Sequence, residues 1–114
     1  MANWNIYHNP RCGKSRRSLE LLRNYEIEPD IVKYLKTPPS ASEIQTLLMK
    51  LGISAAELLR TKEKAMRELN LDTHAEKAVN QAMTEHPILI ERPIVVRGDR
   101  AVLGRPPENV ELLM

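Results

Sequence analysis

Trp4-Asn5-Ile6-Tyr7-His8-Asn9-Pro10-Arg11-Cys12-Gly13-Lys14-Ser15-Arg16-Arg17 is the stretch from which the rest of the chain can be read. Trp4, Ile6 and His8 alternate with Asn5 and Tyr7, the two-residue period of a strand. Asn9-Pro10 initiates a turn. From Gly13 onward, Leu19, Leu21 and Leu22 give an apolar face at helical spacing, with Lys14, Arg16, Arg17 and Arg23 elsewhere on the surface. Cys12, the only cysteine in the sequence, therefore falls at or next to the N-cap of a helix.

That position alters its chemistry. The first N–H groups of a helix lack partners and carry a partial positive charge, so a thiolate gains more there than a thiol does. A free cysteine titrates near about 8.5, and lowering that by roughly two units takes about 2.7 kcal/mol. A helix terminus, nearby cations and one good hydrogen bond supply that order of energy together. The cations at hand are Arg11, Lys14, Arg16 and, when protonated, His8. Ser15, three residues on, is spaced to aim its hydroxyl at the sulfur. A lone cysteine is more often an inert small hydrophobe. The Arg, Gly, Lys and Ser around this one favour a reactive thiol instead.

The chain has 114 residues, the length of one domain, and 42% of them are hydrophobic, enough for a small core. With no Phe and only Trp4, Tyr7, Tyr25 and Tyr34 as aromatics, Leu, Ile, Val, Ala and Met must fill that core. Seventeen basic residues against 15 acidic ones leave a net charge of +2, too weak to argue for nucleic acid or a charged membrane. One cysteine excludes an internal disulfide and any zinc site built on several thiolates. No apolar run follows a basic N-terminal segment, and no stretch approaches the length of a membrane span, so the expected home is the reducing cytoplasm.

Past the first helix, Asp30 to Tyr34 reads as a second strand, and a strand, helix and strand this close imply a right-handed crossover with parallel strands. Three helix starts then share the S/T-x-x-E capping pattern: Ser40 with Glu43, Ser54 with Glu57, and Thr73 with Glu76. The first of these helices carries Ile44, Leu47, Leu48 and Leu51 and stops at Gly52. The second contains Leu58 and Leu59 and reaches Arg60. Thr61 is a candidate cap for a further turn through Met66 and Leu69. The last carries Ala75, Ala78, Val79, Ala82 and Met83 and ends before His86-Pro87. Residues from about 40 to 85 are thus expected as a helical insertion within a single domain spanning 1–114. From Ile88-Leu89-Ile90 the pattern turns back to β. Ile94-Val95-Val96 and Ala101-Val102-Leu103 flank Gly98-Asp99 as a tight hairpin. Pro106 or Pro107 can open a final helix, with Val110, Leu112, Leu113 and Met114 as candidate packing residues.

The fold class that follows is α/β: a thioredoxin-like mixed sheet whose β-α-β and β-β-α halves are separated by the helical insertion. In that architecture the cysteine opening the first helix is the reactive position. A proline before the third strand, here Pro93, often follows a cis peptide bond beside the site.

The sequence also resembles the glutaredoxin-dependent arsenate reductase family. The carrying segments are Tyr7-His8-Asn9-Pro10-Arg11-Cys12-Gly13-Lys14-Ser15-Arg16, Tyr34-Leu35 with Pro38-Pro39-Ser40, Gly52-Ile53-Ser54 leading to Leu58-Leu59-Arg60, His86-Pro87-Ile88-Leu89-Ile90-Glu91-Arg92-Pro93-Ile94-Val95-Val96, and Arg105-Pro106. The likeness runs from residue 4 to residue 110. It implies that Cys12 is the nucleophile and that His8 favours its ionised form. It also implies that Arg60, Arg92 and Arg105 bind the oxyanion. The implied activity is reduction of arsenate, as in arsenical resistance, with glutathione as co-substrate, glutaredoxin as partner and no bound cofactor. The guanidinium group suits this task, being planar, always charged and a paired donor to oxyanions. The lone cysteine agrees, because a chain without a second thiol must take its resolving thiol from outside.

Other residues have plainer readings. His74 sits at a helix start and His86 at a helix end, and no His, Asp or Glu cluster has metal spacing. Arg11 and Lys14 stand where smaller residues are common in such enzymes, which bears on the choice of anion. Longer members of the family continue past the position of Met114, so docking of the thiol partner can differ. Two rivals remain open. One is a general glutathione-linked thiol oxidoreductase, which needs Cys12 but not three arginines. The other is a non-enzymatic regulator of the same fold that binds RNA polymerase. Its redox-sensing forms carry Cys-x-x-Cys, whereas Cys12-Gly13-Lys14-Ser15 cannot form that disulfide.

Overall fold

The computed structural model describes residues 4–114. The strand and helix expected at the start are there: β1 is Trp4–Tyr7 and α1 is Gly13–Asn24. β2 spans Asp30–Val32, shorter than the sequence pattern suggests. The carbonyl of Lys33 begins a turn, accepting from the amides of Lys36 (3.0 Å) and Thr37 (2.9 Å), so Tyr34 leaves the strand and is buried instead. β3 (Ile94–Arg97) and β4 (Arg100–Leu103) form the hairpin, with Gly98 leading its loop at φ +61°. A two-residue loop with a left-handed first position favours glycine.

The sheet order is β2-β1-β3-β4. β1 runs parallel to β2 and antiparallel to β3, with Ile6 opposite Ile31 on one side and Val95 on the other. This is the thioredoxin-like mixed sheet. One cluster of Trp4, Ile6, Leu19, Leu22, Val95, Val110 and Leu113 ties the sheet to α1 and to the end of the chain. Fully buried, Leu22 alone contributes about 2 kcal/mol.

The chain divides into two compact units. The first comprises the segment up to Thr37 together with Arg92–Met114, and holds the sheet; the second, Pro38–Glu91, is helical. Within the second unit, α2 (Ala41–Leu51), α3 (Ala55–Leu58), α4 (Lys64–Leu69) and α5 (Glu76–Glu85) follow in order. Ile44, Leu47, Leu48, Leu58, Val79 and Met83 supply its interior. Ser40 caps α2 by accepting from the Glu43 amide, and Gly52 ends it at φ +70°. Ser54 and Glu57 complete a full capping box on α3.

Four expectations fail on the details, each for a local reason. Thr73 does not cap α5, whose N-cap is Ala75, because the Glu76 carboxylate turns away to accept from the Ala55 amide at 3.0 Å. Thr61 does not cap α4, which begins after Glu63 and buries none of its residues. Ile88 and Leu89 are not strand: Pro87 opens a 3-10 turn, Pro87–Leu89, and Ile90 makes only a single antiparallel bridge to Leu59. The last element is a 3-10 helix, Pro107–Leu113, not an α-helix. Its three-residue period puts Val110 and Leu113 on one buried edge and leaves Leu112 and Met114 exposed. Arg97 and Arg100 donate to the Leu113 and Leu112 carbonyls, and Arg97 lies 5.2 Å over the Trp4 ring. Among the described residues no helix is long and apolar enough to cross a membrane.

Candidate active site

The site grows from the end of β1. The amide of His8 extends the parallel ladder by donating to the Val32 carbonyl at 3.0 Å. Asn9 then folds the chain back on itself. Its side-chain Oδ1 accepts from the Arg11 amide and its carbonyl from the Cys12 amide, both at 3.0 Å. The turn places Cys12 at the N-cap of α1, with φ −94° and ψ 124°, and its carbonyl takes the first helical bond from the Arg16 amide.

The Cys12 sulfur makes no capping hydrogen bond of ordinary geometry, yet several donors face it. Burial pushes the thiol up, and the Ser15 amide, the Arg92 guanidinium and the Lys14 amide together outweigh it. The balance falls below the ordinary thiol value, so the thiolate is more favoured here than in a free cysteine. Cys12 remains partly exposed.

Two features differ from the sequence reading. The Ser15 hydroxyl is not aimed at the sulfur: it lies 2.6 Å from His8 Nδ1 and accepts from the Asn9 amide at 3.0 Å. Ser15 acts on the sulfur through its main-chain N–H. His8 does not add a cation either. It is only 8% exposed. Burial, and then the charges of Arg23 and Arg16, push its pKa below the ordinary 6.5, so the ring is neutral at pH 7. A neutral ring accepts at one nitrogen and donates at the other, which suits it to fixing the Ser15 hydroxyl.

The cation that reaches the sulfur is Arg92, eighty positions along the chain from Cys12. Arg97 to Ile94 pair with Trp4 to Tyr7 in register, which brings the residues just before β3 alongside the end of β1. The Arg92–Pro93 peptide is cis, as expected before the third strand, and so is Arg105–Pro106. Arg105 joins the same group by donating from Nη1 to the Arg92 carbonyl at 3.2 Å. Gly104 holds the two arginine segments together: its amide donates to the Pro93 carbonyl at 2.9 Å. A Cβ there would collide with the Ser18 hydroxyl and stand 2.7 Å from Pro93 Cγ. Asn109 secures the turn by donating to the carbonyls of Leu103 and Arg105.

Thus His8, Cys12, Ser15, Arg92 and Arg105 all belong to the first unit, with Arg92 directly on the thiol. Arg60 belongs to the second. Its amide donates to the Leu89 carbonyl at 2.7 Å, and its guanidinium lies 3.0 Å from Glu63 and 3.5 Å from Glu91. The turn expected at Asn9-Pro10 is there, built on the Asn9 side chain. Glu91 and the close packing at Gly104 carry no signal in the sequence, because their partners lie far along the chain or in another element. The two surface concavities of the second unit, about 430 and 550 Å³, line up along α2, α3 and α5. Neither is lined by a cysteine, histidine or arginine. No group of three or more His, Cys, Asp or Glu among the described residues is placed to hold a metal ion.

Comparison with known proteins finds relatives along nearly the whole chain. A profile of the ArsC family matches residues 7–113. An uncharacterized protein of Escherichia coli (strain K12) is 52% identical over 108 residues, covering 92% of this chain and 91% of that one. An arsenate reductase of Neisseria meningitidis serogroup A is 43% identical over 117 aligned positions, covering 100% of both. The solved structure of an arsenate reductase from Vibrio cholerae superposes with a TM-score of 0.95 at 46% identity, covering 99% of this chain and 98% of that one.

Proposed function

Since the chain belongs to the ArsC family, we propose that it is an enzyme that reduces arsenate to arsenite, with Cys12 as nucleophile. The observation that carries this reading is the thiol itself, held toward its ionised form by Arg92 and the first amides of α1. An anion approaching a thiolate is repelled unless cations stand beside both. Arg92, with Arg105 anchored on its carbonyl, answers that need.

The Cys12 thiolate attacks arsenic, and one arsenate oxygen leaves as water after taking up protons. A glutathione thiol displaces a second oxygen in the same way, placing two sulfurs on As(V). A glutaredoxin thiolate then attacks the glutathione sulfur. The As–S bond to glutathione breaks, its electron pair reduces As(V) to As(III), and the two external sulfurs leave as a mixed disulfide. Water finally displaces the Cys12 thiolate and arsenite is freed. His8, neutral and bonded to the Ser15 hydroxyl, steadies the turn from which the Ser15 amide serves the sulfur.

The test is arsenate-dependent NADPH oxidation coupled through glutathione, glutaredoxin and glutathione reductase, beside a Cys12→Ser control. Turnover that the control loses is expected. Turnover retained in the control would end the nucleophile assignment. A folded wild type that reduces glutathione mixed disulfides but not arsenate would point to general thiol exchange instead.

A further inference from the structure

The segment around Cys12 holds four cations, Arg11, Lys14, Arg16 and Arg17, while the first acidic residue of the chain is Glu20. Their surroundings divide them. Arg17 pairs with Glu20 at 2.8 Å, and Arg16 turns back to the Pro10 carbonyl at 2.9 Å. Further along α1, Arg23 pairs with Glu28. Arg11 and Lys14 are exposed and take part in no ion pair among the described residues. They are also the two that flank the nucleophile, one immediately before it and one two residues after. Between them Gly13 has no side chain, and the nearest atom a Cβ there would meet is Arg16 Nη2 at 3.8 Å. Partly exposed Cys12 thus sits in the chain between two exposed cations that no carboxylate among the described residues offsets, with a residue lacking a side chain beside it.

We propose that Arg11 and Lys14 form an outer rim that binds the carboxylates of the incoming small thiol. The rim selects a peptide thiol carrying free carboxylates, such as glutathione, over neutral thiols. This rests on the reading of Cys12 as the nucleophile and adds a second anion subsite to it. Arg92 and Arg105 serve the inner anion, and the rim serves the co-substrate. Separate subsites let both anions be held at once without competing for one guanidinium.

The experiment uses thiol–disulfide exchange, which needs no arsenate. The Cys12 thiolate attacks one sulfur of a small disulfide, a new S–S bond forms, the old one breaks, and the departing thiolate carries off the electron pair. The reduced wild type is compared with Arg11→Ser, Lys14→Thr and the double variant. Three disulfides serve as probes: glutathione disulfide, its carboxyl-esterified form and neutral 2-hydroxyethyl disulfide. For the double variant the rate constant with glutathione disulfide is expected to fall roughly tenfold at low salt, and less at high salt, as for exposed charge pairs. The rates with the other two should stay within about twofold, because neither carries carboxylates for the rim to hold.

Equal falls with all three disulfides would overturn the rim, since the cations would then act only on the thiolate. No fall with any of them would overturn it too. A wild-type Cys12 no more reactive than free cysteine toward every probe would instead break the nucleophile reading, and the rim with it.

Discussion

In the first unit, Arg92 reaches the Cys12 sulfur and its carbonyl receives Arg105; in the second, Arg60 is drawn between Glu63 and Glu91. The residue type is the same but the company differs. A guanidinium turned to a thiol lowers the thiol's pKa before any substrate arrives. A guanidinium clasped by carboxylates has its charge largely offset, and an incoming anion must compete with them for it. The difference teaches that arginines of equal formal charge can have unequal roles. In the proposed reaction Arg92 would both activate the thiol and attract the anion, whereas the part proposed for Arg60 is on the anion alone.

Arg92→Ala is the strongest way to break this contrast. Arsenate turnover should fall by about 10²–10³-fold, the usual cost of losing a preorganised donor. Its signature is in the pH profile. The Cys12 pKa lies below the ordinary thiol value partly because of Arg92. Removing that cation raises it, so the pH-dependent rise in iodoacetamide alkylation should move to higher pH and the rate at pH 7 should drop. An unmoved profile would mean that the amides of α1 suffice.

Gly104→Ala attacks the seat of Arg92 and Arg105. The added methyl must displace the Ser18 hydroxyl or Pro93, and overpacking of this kind costs about 1–3 kcal/mol, read from urea unfolding. Full stability with full activity would show that the Pro93 and Ser18 side chains yield freely.

Arg60→Ala sharpens the contrast from the other side. The arsenate KM should rise about tenfold, or ~1.4 kcal/mol, an exchange of one charged contact. The alkylation profile of Cys12 should not move, since Arg60 is not among the groups that set it. A shifted profile would erase the distinction between the two arginines. Smallest is Ser54→Ala, which removes the cap of the helix leading to Arg60. It should cost about 1 kcal/mol of unfolding free energy, read from urea titration, and leave the thiol chemistry of the first unit unchanged.

What the sequence revealed follows the range of the interactions involved. The strand of Trp4–Tyr7, the start of α1 at Cys12, the Ser54 capping box and the Gly98 hairpin all depend on neighbours a few residues apart, and all are legible in the pattern. The Thr73–Glu76 pairing looked equally local but failed, because Glu76 found an unpaired amide at the head of another helix. Ser15 shows the same limit at the site. Spacing alone brings its hydroxyl near the sulfur, but buried His8 lies closer to hand and claims it. The partnership of Cys12 with Arg92 depends on the pairing of β1 with β3, and composition could not choose that arginine from the others. The family resemblance marks Arg92 as an oxyanion binder and not as a partner of the thiol; the register of the sheet gives the physical cause of that partnership.

The order of these pieces along the chain also has a consequence during synthesis. Cys12 leaves the ribosome before the whole helical unit, and Arg92 and β3 emerge only after it. At about 5–20 residues per second, that interval lasts several seconds. A lone twelve-residue α1 is too short to hold its helix firmly in water, so its amides give the sulfur little support meanwhile. Until then neither the α1 amides nor Arg92 is in place to lower the thiol's pKa, so that support comes only with the completed sheet.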